Sequence, residues 1–207
     1  MSKMDNLYIQ FYDPSEDFLN EPRSFCYELA MELIKKARDE DVNNWYNNEN
    51  TLKGILLLLY TWNFAARKTK KLNFENVEKV IRGCEENLKK LENSSIEDAS
   101  RNDFLIVQHV FSKFKKLMGQ TGASKAFSLL NSKLFVMWDT KIRKRLNKEL
   151  IRGISNGEKT EHYIKYLKGI QKIINDYRLK EKLQPGSIIA KRIDEYNYVK
   201  IIMEKSS

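Results

Sequence analysis

Two charged residues, Lys125 and Asp139, stand on either side of a short apolar segment, and two glycines precede the first of them. The glycines predict that a helix ends at Gly119, that residues Gly119 to Gly122 form a turn, and that a second short helix follows over 123–130. Unpaired N–H groups at such a turn and helix start suit a phosphate oxygen, because the helix dipole is positive there. The pattern therefore predicts a helix-hairpin-helix that binds phosphate and carries Lys125 in the first turns of its second helix.

Other signatures of enzyme chemistry are missing from the sequence. It contains no HExxH pair, no GxxxxGKS phosphate loop and no GxSxG nucleophile motif. Its two histidines, His109 and His162, have no neighbours at ligand spacing, and Cys26 and Cys84 stand alone without CxxC spacing. We therefore expect no metal and no cofactor.

The positive charge is concentrated in one part of the chain. The formal net charge is +9, and the stretch from Lys113 to Arg152 holds eleven basic residues against only Asp139 and Glu149. The rest of the chain is balanced, with 26 basic and 26 acidic residues. A solvated basic helix face is the simpler explanation of such a run, but the location of the whole excess in one stretch favours a polyanion-binding surface.

Length and composition limit the fold class. The 207 residues are 42% hydrophobic and 31% charged, which excludes intrinsic disorder. Only 3 Pro and 8 Gly leave too few turn residues for a many-stranded sandwich or barrel. We predict an all-α fold of about eight helices in a single compact unit covering 1–207, or in two lobes, with 51–152 carrying the site and 1–50 packing around it together with 153–207.

The longest apolar run covers residues 55–62, far fewer than the roughly 18 needed to span a bilayer. The first residues also lack the pattern of a secretory signal. We therefore expect a cytoplasmic protein without a membrane span.

Helical periodicity places the elements around the two charged residues. A helix from Thr51 to Trp62 is apolar on nearly every face and should be central. Before it, the sequence predicts a helix after Asn20 with Phe25, Leu29, Leu33 and Ile34 on its apolar face. After it, the sequence predicts a helix 74–91 capped by Asn73 and a helix 104–118 in a region opened near Ser95 or Asp98. An extended connector 134–138 without a partner strand, a basic helix begun by Asp139 and Thr140, and two last helices over 161–177 and 187–203 complete the prediction.

With these elements placed, the sequence resembles the helix-hairpin-helix DNA glycosylase superfamily of base-excision repair. Its segments Gly122-Ala-Ser-Lys125-Ala126 and Met137-Trp-Asp139-Thr-Lys-Ile142 follow the family's order of a catalytic lysine, then a catalytic aspartate before a basic helix. Residues 60–66 stand where the family places the helix that abuts the pierced DNA. The resemblance implies that Lys125 and Asp139 are catalytic and that damaged or abasic double-stranded DNA is the partner.

The resemblance also implies a mechanism. A glycosylase flips the target nucleotide out of the duplex, and the Asp139 carboxylate would stabilise the positive charge that develops on the sugar. Lys125 would act as the nucleophile of an AP lyase through a Schiff base, which needs the neutral amine although the pKa of free lysine is about 10.4. The residues expected to contact DNA are Gly119, Gln120, Thr121, Gly122, Lys141, Arg143, Lys144, Arg145 and Asn63.

Simpler roles remain open for the same residues. Asp139 would also serve as a plain N-cap of its helix, Lys125 as a solvated surface lysine, and Trp62 and Trp138 as core residues. Two other functions are compatible with the sequence, namely a DNA-binding helix-hairpin-helix protein without catalysis and an interaction protein of a defence or toxin system.

Overall fold

The computed structural model describes residues 8, 11–20, 24–62, 71–149 and 159–203. Within these ranges the chain forms nine α-helices and no strand, which confirms the all-α prediction. The helices are α1 (Ser15–Leu19), α2 (Ser24–Glu40), α3 (Glu49–Trp62), α4 (Phe74–Arg82), α5 (Glu85–Lys90), α6 (Arg101–Leu130), α7 (Thr140–Glu149), α8 (Thr160–Asp176) and α9 (Ile189–Asn197). Two 3-10 turns (Trp45–Asn47 and Leu179–Lys182) and a π-helical segment (Tyr198–Met203) complete the described part. No described helix is both long and apolar enough to cross a bilayer.

Helix α3 is central, as the sequence predicts, and α2 packs closely along it. A Cβ added at Gly54 of α3 would lie 2.9 Å from the carbonyl oxygen of Ala30, so glycine allows the two backbones to approach. Ile34 and Leu33 of α2 also lie close to Gly54, at 3.5 Å from such a Cβ. The apolar face predicted from larger side chains was therefore wrong in part, because Phe25 is 69% exposed and Leu29 is also exposed.

The single helix predicted over 74–91 is divided into α4 and α5. Asn73 caps it as predicted, accepting a hydrogen bond from the N–H of Asn76 at 2.9 Å. At the division the N–H of Cys84 donates to the carbonyl of Ile81 at 2.9 Å, a tight turn that redirects the chain.

Helix α6 changes direction at one residue, Gly119, which has φ 71° and ψ 173°. The four-residue turn predicted from Gly119 to Gly122 is wrong, since the residues after Gly119 already belong to the helix. A backbone conformation open almost only to glycine makes the break in a single residue. The helix begins at Arg101, and its capping box is formed by Ser100 and Asp103 rather than by Ser95 or Asp98.

The connector between α6 and α7 is extended and buried, and it pairs with no strand in the described ranges. Its residues Leu134, Phe135, Val136, Met137 and Trp138 are all at most 7% exposed. Helices α8 and α9 cover it with side chains, as described below. One cluster of buried residues includes side chains from Tyr8 through to Ile201.

Replacing Gly119 by Ala should destabilise the fold. The added methyl group meets no atom within 4 Å, so the expected loss of about 1–3 kcal/mol in the free energy of unfolding comes from backbone strain alone. Gly83→Ala is the matched control, because Gly83 has helical dihedrals (φ −71°, ψ −4°) and its substitution should change stability by no more than about 1 kcal/mol, in the stabilising direction. Urea unfolding of both variants measures the difference, and equal stabilities would contradict the strain at Gly119.

Candidate active site

Lys125 and Asp139 line the same pocket. It is partly open to solvent, and two further carboxyl groups, those of Asp194 and Glu195, also line it. The remaining lining side chains are apolar or aromatic: Phe18, Tyr27, Trp62, Met137, Ile142 and Tyr198. An apolar pocket with a few converging polar groups is the usual form of a small-molecule site.

Lys125 is buried, with 5% of its surface exposed. Its Nζ donates a hydrogen bond to the backbone carbonyl of Trp62 in α3 and lies 5.7 Å from the centre of the Trp62 ring. The interpretation of Lys125 as a solvated surface lysine is therefore wrong. The side chain joins α6 to α3 at the wall of the pocket.

Asp139 has the N-cap role that the sequence allowed. Its Oδ1 accepts a hydrogen bond from the N–H of Lys141 at 2.8 Å, so the carboxylate caps α7. Its Oδ2 accepts no hydrogen bond from any residue in the described ranges. The cap fixes the position of the carboxylate. Asp139 is half-buried, and its Oδ2 remains available at the pocket wall.

A hydrogen bond joins the residue before Lys125 to the residue before Asp139. The Oγ of Ser124, which precedes Lys125, accepts from the N–H of Trp138 at 2.9 Å, and Trp138 precedes Asp139. Ser124 is 0% exposed and Trp138 1%. This buried contact sets where the connector lies relative to the second part of α6.

Side chains of α8 and α9 bind the other side of the connector. They satisfy three successive backbone groups that would otherwise be buried without partners: Tyr163 donates to the carbonyl of Val136 at 3.1 Å, Asp194 accepts from the N–H of Met137 at 2.5 Å, and Tyr166 donates to the carbonyl of Met137 at 3.0 Å. Buried peptide groups need such partners. The connector is thus held as a central strand would be, by side chains in place of neighbouring strands.

The acidic residues of α9 were missed by sequence reasoning. Burial raises the pKa of Asp194 well above its usual range, while the bond from Met137 and the charge of Lys125 act in the opposite direction. Burial also raises the pKa of Glu195, whose carboxylate accepts from Arg192 at 2.6 Å and lies 3.7 Å from Lys191. The signal in the sequence was their place on the helix. Asp194 lies four residues after Ala190 and two residues before Tyr196, and both of these side chains are buried.

The two tryptophans near the site have different surroundings. Trp138 belongs to the core, as predicted, and meets Tyr166 edge to face with ring centres 5.0 Å apart. Trp62 packs against the core and also lines the pocket, with its ring centre 5.1 Å from that of Tyr198 and 5.9 Å from that of Phe18. Both tryptophans therefore pack with the core, Trp138 fully buried and Trp62 partly buried.

The residues predicted to contact DNA around the helix break differ in exposure. Gly119 is exposed, Gln120 and Thr121 are half-buried, and Gly122 is buried. Gln120 donates to the carbonyl of Lys159 at 3.4 Å. Asn63, also predicted to contact DNA, lies outside the described residues.

The basic residues of α7 that were predicted to contact DNA lie on the same helix as Ile142, which lines the pocket. Lys141 and Lys144 are exposed, and Arg143 and Arg145 are half-buried. The guanidinium of Arg143 lies 5.6 Å from the centre of the Trp138 ring and donates to Gln120 at 3.4 Å. Burial lowers the pKa of Arg143, against the attraction of Asp139.

A shallow basic groove lies between α4 and α6. Lys113 and Lys116 from the basic stretch line it together with Lys79 of α4. Lys79 and Lys116 are exposed, whereas Lys113 is half-buried and donates to the carbonyl of Gly83 at 2.9 Å. The contribution of Lys79 could not be read from the sequence, because it comes from outside the basic stretch.

Replacing Ser124 by Ala should destabilise the fold by about 1–3 kcal/mol, because it leaves the N–H of Trp138 buried and unpaired. Ser128→Ala is the matched control. Both serines are buried in α6 and donate to the carbonyl three residues earlier, at 3.0 Å for Ser124 and 2.9 Å for Ser128, but Ser128 accepts no bond from the connector. Chemical unfolding should show the larger loss for Ser124→Ala, and equal losses would mean that the Trp138 bond contributes nothing.

No protein-family model, no curated protein and no solved structure matches this chain. The resemblance to helix-hairpin-helix DNA glycosylases therefore remains a prediction, and the function is argued from the pocket itself.

Proposed function

We propose that the protein is a base-excision-repair DNA N-glycosylase with AP lyase activity, in which Lys125 is the nucleophile and Asp139 the carboxylate that stabilises the sugar cation. The observation that carries the proposal is that these two residues, which belong to different helices, line one aromatic-walled pocket. The aromatic rings that line the pocket are available to pack against a flipped-out planar base.

The surroundings of Asp139 suit its proposed role. The N-cap bond at Oδ1 holds the carboxylate at the N-terminal, positive end of α7. Its Oδ2, which has no partner in the described ranges, is then available to a sugar that gains positive charge as the base leaves. Because the cap prevents the carboxylate from turning away, little reorganisation is needed in the transition state.

The lyase step assigns Lys125 a covalent role. The neutral Nζ forms a bond to C1′ of the sugar as the bond from C1′ to the base breaks, and the base leaves with the electron pair and takes up a proton. The attached amine loses one proton, and the C1′–O4′ bond then breaks as O4′ takes up a proton, which gives the protonated Schiff base. Removal of a proton from C2′ then expels the 3′ phosphate and cleaves the strand, and water releases Lys125.

Borohydride trapping tests this assignment. Reduction of a mixture with duplex DNA containing an abasic site should give a covalent complex with the wild-type protein, and Lys125→Gln should give none. Glutamine retains a hydrogen-bond donor for the carbonyl of Trp62, so this variant preserves the fold better than alanine. Lys133→Gln is the matched control, because Lys133 is exposed and does not line the pocket.

Trapping in the wild type and Lys133→Gln but not in Lys125→Gln is the expected result. Equal trapping in all three proteins, or none in any, would refute the role of Lys125. Unfolding curves of the three proteins establish that a negative result for Lys125→Gln does not come from loss of structure.

DNA binding is tested separately through its dependence on salt. Each phosphate contact lowers the slope of log affinity against log salt by about 0.9. If Lys79 and Lys116 of the basic groove each contact a phosphate, the double variant Lys79→Gln/Lys116→Gln should reduce the magnitude of the slope by about 1.8. Lys35→Gln/Lys172→Gln removes two exposed lysines outside the basic stretch and should leave the slope unchanged.

Fluorescence anisotropy with a duplex at several salt concentrations gives these slopes. No binding, or binding that is insensitive to salt, would refute both DNA-directed functions and favour the interaction protein. Salt-dependent binding without borohydride trapping would favour the alternative function, a DNA-binding protein that has no catalytic activity.

A further inference from the structure

The carboxyl group of Asp194 is one of two in the pocket that the proposed chemistry does not use, the other being that of Glu195. Asp194 is 8% exposed and lines the pocket. Its Oδ1 accepts from the N–H of Met137 at 2.5 Å, and its Oδ2 has no hydrogen-bond partner in the described ranges. Its neighbour Glu195 differs in this respect, because Arg192 and Lys191 neutralise it.

The bond from Met137 decides which oxygen of a neutral Asp194 carries the proton. An oxygen that accepts a backbone N–H acts as the carbonyl oxygen of the acid, so the proton resides on Oδ2. Burial raises the pKa of this carboxyl, and the neutral form therefore persists to a higher pH than in an exposed aspartate. In that form Oδ2 is a hydrogen-bond donor at the pocket wall.

We infer that Asp194 determines which planar heterocycle the pocket binds, by donating a hydrogen bond from Oδ2 to an acceptor atom in the plane of the ring. The inference rests on the proposed function in taking the ligand to be a nucleobase. A ring nitrogen without hydrogen or an exocyclic carbonyl satisfies the donor, whereas a ring edge that carries only N–H or C–H groups leaves it unpaired. An unpaired buried donor weakens binding, so the pocket discriminates between bases by the edge they present.

Other titratable groups face Asp194 and must be separated from it. They are Glu195 on α9, Lys125 on α6, and the hydroxyls of Tyr8, Tyr27 on α2, and Tyr163 and Tyr166 on α8. Burial raises the pKa of each of these tyrosines, so their hydroxyls remain neutral at and above neutral pH. Glu195 and Lys125 are the groups whose titration has to be distinguished by substitution.

Two planar bicycles test the inference without DNA. Indole and indazole have nearly the same size and shape, but only indazole carries an acceptor nitrogen in its five-membered ring. Ligand-observed NMR titrations with the wild-type protein should show indazole binding roughly fivefold more tightly than indole, as expected for one hydrogen bond. The preference should fall toward one as the pH rises and Asp194 loses its proton.

Asp194→Asn is the decisive variant. An asparagine oxygen still accepts from Met137, and its NH2 group donates to the pocket at every pH. The variant should retain the preference for indazole and lose its dependence on pH, whereas Asp194→Leu should lose the preference altogether. Glu195→Gln should keep the wild-type pH profile, which excludes Glu195 as the titrating group.

A ratio of one between the two ligands in the wild type, or a preference that does not change with pH, would overturn the inference. An unchanged pH profile in Asp194→Asn would overturn it as well. If Asp194→Leu does not fold, the comparison of wild type with Asp194→Asn still decides. Failure of borohydride trapping leaves these titrations unaffected, so loss of the proposed function and loss of this inference are separate results.

Discussion

The peptide groups of residues 136–138 are buried in an extended segment that has no neighbouring strand in the described part of the chain, and their hydrogen bonds come from side chains. Ser124, Tyr163, Tyr166 and Asp194 supply them, from α6, α8 and α9. Each would otherwise leave a backbone group unpaired in the core, at a cost of about 1–3 kcal/mol. Three helices are therefore tied to one connector, and their relative positions follow from it.

This constraint also shapes the pocket. The connector ends at Asp139, and the residue that holds its end, Ser124, adjoins Lys125. The polar groups that stabilise the fold are thus the ones that place the candidate chemistry. Asp194 has both tasks, since one of its oxygens binds the connector and the other is available to the pocket. Its burial is tolerated because the carboxyl is bonded and because its raised pKa favours the neutral form.

Local sequence patterns predicted the elements that local interactions decide. The N-caps at Asn73 and Asp139 depend on contacts within a few residues, and both were correct. The central position of α3 followed from its apolar composition. The predicted apolar face of α2 was wrong only in part: Ile34 is buried as expected, whereas Phe25 lies outside because Gly54 and Ala30 let the two backbones approach closely. The predicted turn over four residues was too long, because the backbone of Gly119 alone, with φ 71°, makes the break, and composition does not specify that angle.

By itself the sequence determined the helical class, the concentration of positive charge between Lys113 and Arg152, and Lys125 and Asp139 as candidates. Tertiary structure decided that these two residues line one pocket, that Lys125 is buried, and that Asp194 and Glu195 of α9 join them. It also added Lys79 to the basic groove. The physical reason is that helical periodicity and capping act over a few residues, whereas a pocket is made by packing between helices that are far apart in the chain.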